Sequence, residues 1–326
     1  VFFGLVSFFI LLKQEKPSLL LLTLLAIPAL SFFSPLIQFF PVGLGLKMLV
    51  ISCVFVVLLF GLLVPVFGFY RWKNGISVLS FSIAIVLFFV AHAKSDFTET
   101  RQKPNSLIYY QNADTGENFW LTYDKVLDTW TQGYLGENPE EASKYVTSVA
   151  GSKYNTGYSF AAAAPSKTIL PFEVRLENDT VNQNLRNVTF TILPKRDVHE
   201  IGLYTDVSTK FESLTFNGKT VSKDTTNNAF YERKSNMLLR YFVANEDSLE
   251  VSLSVQKNTP LNFQVLEYSY DLLQHPQFTI NKRPKNTMPK PFVNTDAVVV
   301  KRSFSVNELQ KKMVVNDTVA LETGNE

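Results

Sequence analysis

Cysteine and histidine are scarce in this sequence of 326 residues. Cys53 is the single cysteine, and the three histidines are His92, His199 and His275. One cysteine cannot form an intrachain disulfide, and because Cys53 lies in an apolar run we expect a buried small side chain rather than a reactive thiol. The common metal and nucleophile motifs are missing as well: neither H-E-x-x-H, C-x-x-C, G-x-S-x-G nor a glycine-rich phosphate loop occurs.

An excess of charge of one sign is also lacking. The 31 basic and 29 acidic residues leave a formal net charge of +2. Nucleic-acid binding requires a basic stripe that neutralises phosphates, so this balance predicts no nucleic-acid partner. The charges are unevenly distributed along the chain. The part through Ala93 contains few of them: Lys13, Glu15, Lys16, Lys47, Arg71 and Lys73.

Long apolar runs dominate this first part. A helix needs about 20 apolar residues to cross the hydrocarbon core of a membrane. Three runs predict full spans at 18–41, 46–69 and 76–93, in a transmembrane segment that covers residues 1–93. The first run, 1–12, forms only roughly 18 Å of helix. We interpret it as the truncated end of a further helix and therefore expect the chain to be the C-terminal part of a longer protein.

Prolines interrupt the first full span. Pro28, Pro35 and Pro41 precede two glycines, and proline removes a backbone donor, so we expect this helix to bend or to end near Pro41. Transporters use such broken helices as substrate sites. A binding site for an ion also requires charged groups within the membrane, and none occurs in this span. The structural interpretation of the prolines is therefore favoured over the transporter.

Basic residues predict the orientation of the spans. Lys13 and Lys16 lie in the first loop, and Arg71 and Lys73 lie in the third loop, on the same side of the membrane. Positive loops face the cytoplasm. The last span then exits outward, and everything from about Lys94 onward is expected in the periplasm or, in a eukaryote, the lumen.

The polar part of the chain predicts a single β-rich domain. We expect a linker at 94–104, an extracytoplasmic domain at 105–310 and a frayed tail at 311–326. Two aromatic-rich runs, 107–110 and 119–123, flank a turn sequence and predict a hairpin.

Two short helices are predicted after the hairpin. Leu127, Trp130 and Tyr134 recur at helical spacing, with Asp124 as the expected N-cap and Gly136 after the end. A second short helix is predicted over 138–151.

The remainder reads as short alternating strands. The hairpin signal Asn217-Gly218 is the strongest, since both residues tolerate the positive φ of a type I′ turn. The runs that predict strands are "TILPFEVRLE", "RNVTFTILP", "EIGLYTDV", "ESLTFNGKTV", "MLLRYFVA", "SLEVSLSVQ", "LNFQVLEYSYDLL" and "DAVVVKRSFSV". The predicted fold is thus a transmembrane helical segment followed by a mainly-β, antiparallel, sandwich-like domain with one or two short helices.

The candidate chemical groups are few, and none is assigned a catalytic, cofactor-binding or metal-binding role. His199 has Asp197 and Glu200 as neighbours, but strand alternation places His199 and Glu200 on opposite faces, so we expect no metal site there. His92 is expected at the membrane interface and His275 in a loop.

The tripeptide Asp114-Thr115-Gly116 also occurs in aspartic proteases, where it carries the catalytic aspartate. It occurs once here and lies in a turn sequence, which favours a turn.

Aromatic residues of the first hairpin and helix have two interpretations, a carbohydrate-binding platform or core packing, and their alternation favours the core. They are Tyr109, Tyr110, Phe119, Trp120, Tyr123 and Trp130. The sequons at Asn178, Asn187 and Asn316 are compatible with a glycosylated lumenal domain.

The stretch that follows the last span resembles a known family. The segment 104–136, "PNSLIYYQNADTGENFWLTYDKVLDTWTQGYLG", is similar to the segment after the last transmembrane helix of membrane-bound M28 metallopeptidases, the group of the endoplasmic reticulum metallopeptidase and the vacuolar membrane protease. The late spans at 35–67 and the C-terminal segment 270–304, with its Arg283-Pro284 and Met288-Pro289 turns, also resemble that group. The residues that carry the match in the first segment are Pro104, Ser106, Leu107, Tyr109, Ala113, Asp114, Trp120, Asp128, Trp130 and Thr131.

The resemblance implies a zinc aminopeptidase domain N-terminal to this chain, with paired metals held by His, Asp and Glu. No position here matches those ligands, so the resemblance makes this chain the non-catalytic membrane and β-domain part of the peptidase. Its implied partners are the lipid bilayer, its own peptidase domain and peptide substrates. The alternative, from another class, is a non-enzymatic membrane-anchored binding or scaffold protein.

Overall fold

The chain divides into two compact units, Val1–Asp96 and Phe97–Glu326. The structure is a computed structural model that describes residues 2–45, 48–68, 72–146, 156–223, 229–230, 233–244 and 247–310. The boundary between the units falls inside the predicted linker. The predicted tail at 311–326 lies outside the described residues, as does Asn316.

The first unit is helical. Its helices are α1 (Phe2–Lys13), α2 (Leu19–Leu44), α3 (Leu49–Phe67) and α4 (Lys73–Ala93). The last three are long and apolar enough to cross a membrane, as their charge-poor sequences predict. The short α1 corresponds to the predicted truncated helix.

Helices α1, α2 and α3 pack together through a small apolar core that includes Leu22, Ala26 and Leu59. Among the described residues, none of α4 is buried. The prediction that Cys53 is buried is wrong, because its side chain is exposed on α3. Helix α3 is apolar on every side, and only the side that carries Ser52, Leu59 and two further residues is buried, so an apolar neighbourhood in the sequence did not decide burial.

The prolines of α2 are accommodated within a continuous helix. The helix passes through Pro28, Pro35 and Pro41 and ends at Leu44, three residues beyond the expected end. Pro41 has no N–H to donate to the carbonyl of Ile37, four residues earlier. The Ser52 hydroxyl of α3 donates to that carbonyl at 2.8 Å instead. A neighbouring helix thus supplies the donor that proline removed, as polar groups in lipid require.

We expect Ser52→Ala to weaken the packing of α2 against α3 by about 0.6–2 kcal/mol, since interhelical hydrogen bonds in membranes are worth about that much. Reversible unfolding of the chain in bicelles measures the change. In a Pro41→Ala background the restored N–H satisfies the Ile37 carbonyl, so the serine substitution then has almost no effect. An equal loss in both backgrounds would contradict the proposed role of Ser52.

The second unit is mainly β. Its strands are β1 (Lys103–Asn105), β2 (Ile108–Asn112), β3 (Asn118–Thr122), β4 (Glu140–Glu141), β5 (Phe160–Ala163), β6 (Glu173–Asn182), β7 (Leu185–Leu193), β8 (Glu200–Thr205), β9 (Ser213–Phe216), β10 (Lys219–Thr220), β11 (Met237–Phe242), β12 (Leu249–Gln256), β13 (Asn262–Ser269), β14 (Thr287–Pro289) and β15 (Ala297–Ser305). The described residues of this unit also include the α-helix α5 (Thr129–Leu135), a 3-10 turn at Ala142–Lys144 and a short helical stretch at 306–310.

The described strands form three sheets. A five-stranded sheet has the order β10-β9-β12-β7-β6, an eight-stranded sheet has the order β11-β8-β13-β15-β2-β3-β5-β4, and β1 pairs with β14 alone. Among the described strands, none closes either large sheet into a barrel. One apolar cluster contains buried residues of both large sheets, with Phe190, Leu214 and Val251 from the first and Leu203 and Phe263 from the second.

Most pairings are antiparallel, as predicted, and two are parallel. The last strand, β15, lies between β13 and β2 and pairs with β2 in parallel, Val299 opposite Tyr110. The second parallel pair is β1 with β14. A parallel pair needs a long connection, and both pairs join strands from the beginning and the end of the domain sequence. The prediction missed them because no local pattern reports such a distant partner.

Local turn and strand predictions hold where the chain pairs with itself nearby. Asn217 and Gly218 have φ values of 44° and 73° and join β9 to β10, which confirms the predicted hairpin. The eight runs predicted as strands all contain strands.

Both helix predictions require correction. The first helix is capped by Asp128 rather than Asp124, and it begins at Thr129. The second helix is wrong where the structure describes it. Glu140 and Glu141 pair with β5, and only a 3-10 turn follows, because an available strand edge competes with the weak helical signal. The rest of that prediction, 147–151, lies outside the described residues.

Candidate functional site

Two segments that were singled out in the sequence, 104–136 and 270–304, meet in the β domain. Strand β1 lies beside β14, with Pro104 opposite Met288 and Asn105 opposite Pro289. The Lys103 N–H donates to the carbonyl of Asn286 at 2.8 Å. We call this pair of strands, together with the start of α5, the β1–β14 junction.

Asp128 links the junction to α5. Its carboxylate accepts the backbone N–H of Thr131 at 2.9 Å and the amide of Asn105 at 2.7 Å. The Thr131 hydroxyl in turn accepts the N–H of Asp128, which completes a capping box. Burial acts to raise the pKa of Asp128, but these donors outweigh it, so the pKa is lowered. The pattern Asp-x-Trp-Thr is therefore a helix start.

We expect Asp128→Ala to destabilise the β domain by about 1–2 kcal/mol, because a lost N-cap alone costs about 1 kcal/mol and the Asn105 amide loses its partner as well. Chemical unfolding of the detergent-solubilised chain measures it. Asp128→Asn keeps a capping oxygen and a smaller loss is expected. Equal losses for the two variants would contradict the capping role.

Trp130 fastens the C-terminal segment to α5. Its indole N–H donates to the carbonyl of Asn281 at 2.9 Å, and the guanidinium of Arg283 lies 4.6 Å from its ring centroid. Arg283 also pairs with Asp296, which precedes β15. These contacts join distant parts of the chain, and they give the resembling residues a structural role.

The histidines occupy separate places. His199 is exposed, whereas the next residue, Glu200, is 2% exposed and accepts hydrogen bonds from Nε and Nη2 of Arg240 at 2.6 and 2.8 Å. His275 lies in a turn, 4.0 Å from a carboxylate oxygen of Asp271. His92 is on α4, in the other unit. Within the described part of the chain, no group of three or more potential ligands could hold a metal ion.

The Asp-Thr-Gly tripeptide forms a turn with a structural aspartate. The Asp114 carboxylate accepts the backbone N–H of Ser303 at 2.8 and 3.1 Å and lies 3.3 Å from the Lys301 ammonium. It thereby fastens the first hairpin turn to the last strand. A second aspartate of the kind that aspartic proteases need does not face it in the described residues.

Burial resolves the two interpretations of the aromatic residues. All six are at most 8% exposed, so they are core residues and form no exposed platform for stacking on sugars. Of the described sequons, Asn178 is exposed on the edge strand β6, whereas Asn187 on β7 accepts the hydroxyl of Ser254 at 2.6 Å.

Glu267 is a buried carboxylate whose pKa is raised. It is 0% exposed on β13 and accepts the N–H of Phe172 at 3.2 Å. Its other oxygen has no partner among the described residues. Burial raises the pKa of Glu267 to about 7, although the nearby Arg196 acts against the rise.

An open pocket of about 900 Å³ lies at one end of the strands. It is formed by the β6–β7 turn, the β8–β9 connection and the β12–β13 turn. We call it the turn pocket. The side chains of several lining residues have no hydrogen-bond partner among the described residues: Asn184, Thr209, Asn258, Thr259 and Asn262. Its charged lining residues, in the described chain, are Asp206 and Lys257.

Comparison with known proteins adds no family. No protein-family model matches the chain, and no curated protein is significantly similar to it. The resemblance to M28 peptidases therefore remains a prediction.

Sequence reasoning missed the turn pocket. Asn184 and Asn258 lie in the turn sequences "NQN" at 182–184 and "KNTP" at 257–260, which predict reversals and nothing more, and Asn262 begins β13. The available signal was the unusual share of asparagine in two turns. Their proximity depends on the pairing of β6, β7 and β12, which no local pattern specifies.

Proposed function

We propose that this chain is the membrane-anchoring and non-catalytic β-domain part of an M28-type zinc-dependent aminopeptidase. The catalytic domain and its zinc ions belong to residues N-terminal to this chain. The chain is multi-domain, with the membrane spans followed by the β domain. The β domain is sandwich-like and lies on the periplasmic or lumenal side. It holds the peptidase at the bilayer and contributes to the handling of peptide substrates.

The observation that carries this proposal is the β1–β14 junction. The two segments of the domain that resemble the family are about 150 residues apart in sequence, and they form one structure through Trp130 and Arg283. The contact between these two distant segments supports a fold shared with the family, since two chance resemblances need not lie next to each other in the folded domain. The residues of the junction cap a helix, pair strands and pack in the core. Such structural roles suit an accessory domain.

The activity of the complete polypeptide tests the proposal. We expect the full reading frame to encode a His, Asp and Glu ligand set upstream of Val1. The purified full-length protein should release fluorophores from aminoacyl-coumarin substrates, lose this activity with a chelator and regain it with zinc. The 326-residue chain alone is the matched control, and we expect no hydrolysis from it. An upstream frame without such ligands, or zinc-dependent hydrolysis by the control, contradicts the proposal.

Labelling with a membrane-impermeant maleimide tests the orientation. Cys53 is the single cysteine, so Cys53→Ala gives a cysteine-free background. A cysteine introduced at the exposed Glu250 should react in intact spheroplasts, and one introduced at Lys16 should react only after lysis. The reverse pattern would place the β domain in the cytoplasm.

A second candidate is a non-enzymatic membrane-anchored binding protein, which the turn pocket favours. The full-length protein distinguishes the two, because this candidate predicts no zinc-dependent hydrolysis.

A further inference from the structure

We propose that the turn pocket binds a neutral oligosaccharide through its free amide and hydroxyl side chains. This inference concerns the β domain alone and holds whether or not the complete protein is a peptidase.

The free polar groups match the chemistry of adjacent sugar hydroxyls. Each hydroxyl of a sugar can donate and accept a hydrogen bond. The side-chain amides of Asn184, Asn258 and Asn262 each offer two donor hydrogens and one acceptor oxygen, and the hydroxyls of Thr209 and Thr259 offer both functions. A cluster of side chains that both donate and accept hydrogen bonds therefore suits a sugar, whose hydroxyls also do both.

The charge of the pocket argues against an ionic ligand. Asp206 is already engaged, since its Oδ1 accepts the N–H of Ser208 at 2.8 Å and its hydroxyl at 2.5 Å. Lys257 is the single cation that lines the described pocket. Phosphate recognition relies on several cationic or backbone donors, and a calcium site needs six to eight oxygen ligands with several carboxylates.

The pocket is held in place by hydrogen bonds to its own backbone carbonyls. The Lys257 N–H donates to the carbonyl of Asn184 at 2.9 Å and thus joins two turns. The buried Thr205 hydroxyl donates to the carbonyl of Asn262 at 2.7 Å. The guanidinium of Arg233 donates to the carbonyls of Asp206 and Thr209. A site fixed in this way loses little entropy when it binds a ligand.

Size and apolar surface favour a short oligosaccharide. The pocket volume of about 900 Å³ falls in the roughly 300–1,000 Å³ range of small-molecule sites. A second pocket of about 420 Å³ adjoins it and shares Thr205, Asp206 and Asn262 with it, and its lining includes the partly exposed rings of Tyr204 and Phe304. Sugar rings present an apolar face to aromatic rings. A chain of two or three sugars can therefore contact both pockets.

A peptide fits the same groups less well. β domains commonly bind extended peptides by backbone pairing along an unpaired strand edge. The turn pocket lies at the ends of strands. In the described residues, the backbone donors at Lys257, Thr209 and Thr259 are already used in turns, so side chains provide the free groups.

Binding of defined trisaccharides tests the inference. The full chain is placed in phospholipid nanodiscs, because maltoside and glucoside detergents carry sugars that would compete. Maltotriose, cellotriose, mannotriose and chitotriose are screened by saturation-transfer NMR, with inorganic phosphate and N-acetyl-trialanine amide as comparison probes. We expect at least one trisaccharide to bind and to slow hydrogen exchange in segments 182–185 and 256–262.

Paired variants locate the site. The double variant Asn258→Ala/Asn262→Ala should lose about tenfold or more in affinity, since it removes two free amides. The control is Asn281→Ala/Asn286→Ala, which removes two exposed asparagines whose hydrogen bonds in the described residues are made by the backbone, and it should bind as before. Near-ultraviolet circular dichroism verifies that both variants are folded. The inference is overturned if none of the four sugars binds, if the pocket variant retains affinity, or if the peptide binds there and the sugars do not.

Discussion

Trp130→Ala is expected to destabilise the β domain by about 3–5 kcal/mol, the usual range for removal of a buried tryptophan. The side chain is 7% exposed and packs against Tyr134, so its loss leaves a cavity. It also leaves the carbonyl of Asn281 without its donor and Arg283 without its ring. Chemical unfolding of the detergent-solubilised chain, followed by near-ultraviolet circular dichroism, measures the loss.

Hydrogen exchange locates the effect. Peptides that cover β1 and β14 should exchange about 100-fold faster or more, because each 1.4 kcal/mol of lost stability is about tenfold. Trp130→Phe is the matched control. It keeps an aromatic ring beneath Arg283 and loses the indole N–H, so a loss of about 1 kcal/mol or somewhat more is expected. A loss below 1 kcal/mol for the alanine variant would mean that the junction does not hold the domain together.

The second large effect is a fall in stability of about 3 kcal/mol between pH 4.5 and pH 7, caused by Glu267. Its pKa is about 7 in the folded protein against an ordinary value of 4.5. Between these values the folded state holds a proton that the unfolded state releases, so stability is lost as pH rises, and the loss is complete above about pH 7. One pH unit in this window is worth about 1.4 kcal/mol.

Glu267→Gln isolates this contribution. The amide mimics the neutral carboxylic acid, so the variant should lack the Glu267 contribution and be more stable than the parent at pH 8. The raised pKa of Asp296 acts in the same direction and is retained in both proteins. Free energies of unfolding at pH 4.5, 6, 7 and 8 measure this contribution. The control is Glu250→Gln, at an exposed position, which should keep the parent's dependence of the free energy of unfolding on pH. The lowered pKa values of Asp128 and Glu173 affect stability only below their ordinary values, so they leave this window unchanged. Parallel pH curves for the parent and Glu267→Gln would refute the prediction.

Much of the fold is predictable because its signals are local. The three spans follow from charge-free runs, and the hairpin at Asn217 follows from two residues that tolerate positive φ. The alternation along β12, in which Leu249, Val251 and Leu253 are buried, is visible in the sequence itself.

The failures share one physical cause, which is competition from a distant partner. Glu140 and Glu141 belong to a run with helical signals, yet they pair with β5 because that edge is available. Asp124 has the chemistry of an N-cap, yet it accepts the N–H of Ser106 at 2.8 Å and pairs with Lys290 at 2.9 Å. Such choices depend on what the folded chain brings near, which propensity does not report.

The sequence by itself determined the division of this protein into apolar helices and a β-rich domain, because hydrophobic burial follows composition and periodicity. The sequence also shows by itself that the common metal and nucleophile motifs do not occur in it. Only the tertiary structure decided that β15 lies between β13 and β2 and that Asp114 is a structural residue. It alone decided that asparagines from two turns and from the start of β13 line one pocket. The reason is that strand pairing joins residues far apart in the chain, and the energy of such contacts exists only when both partners are in place.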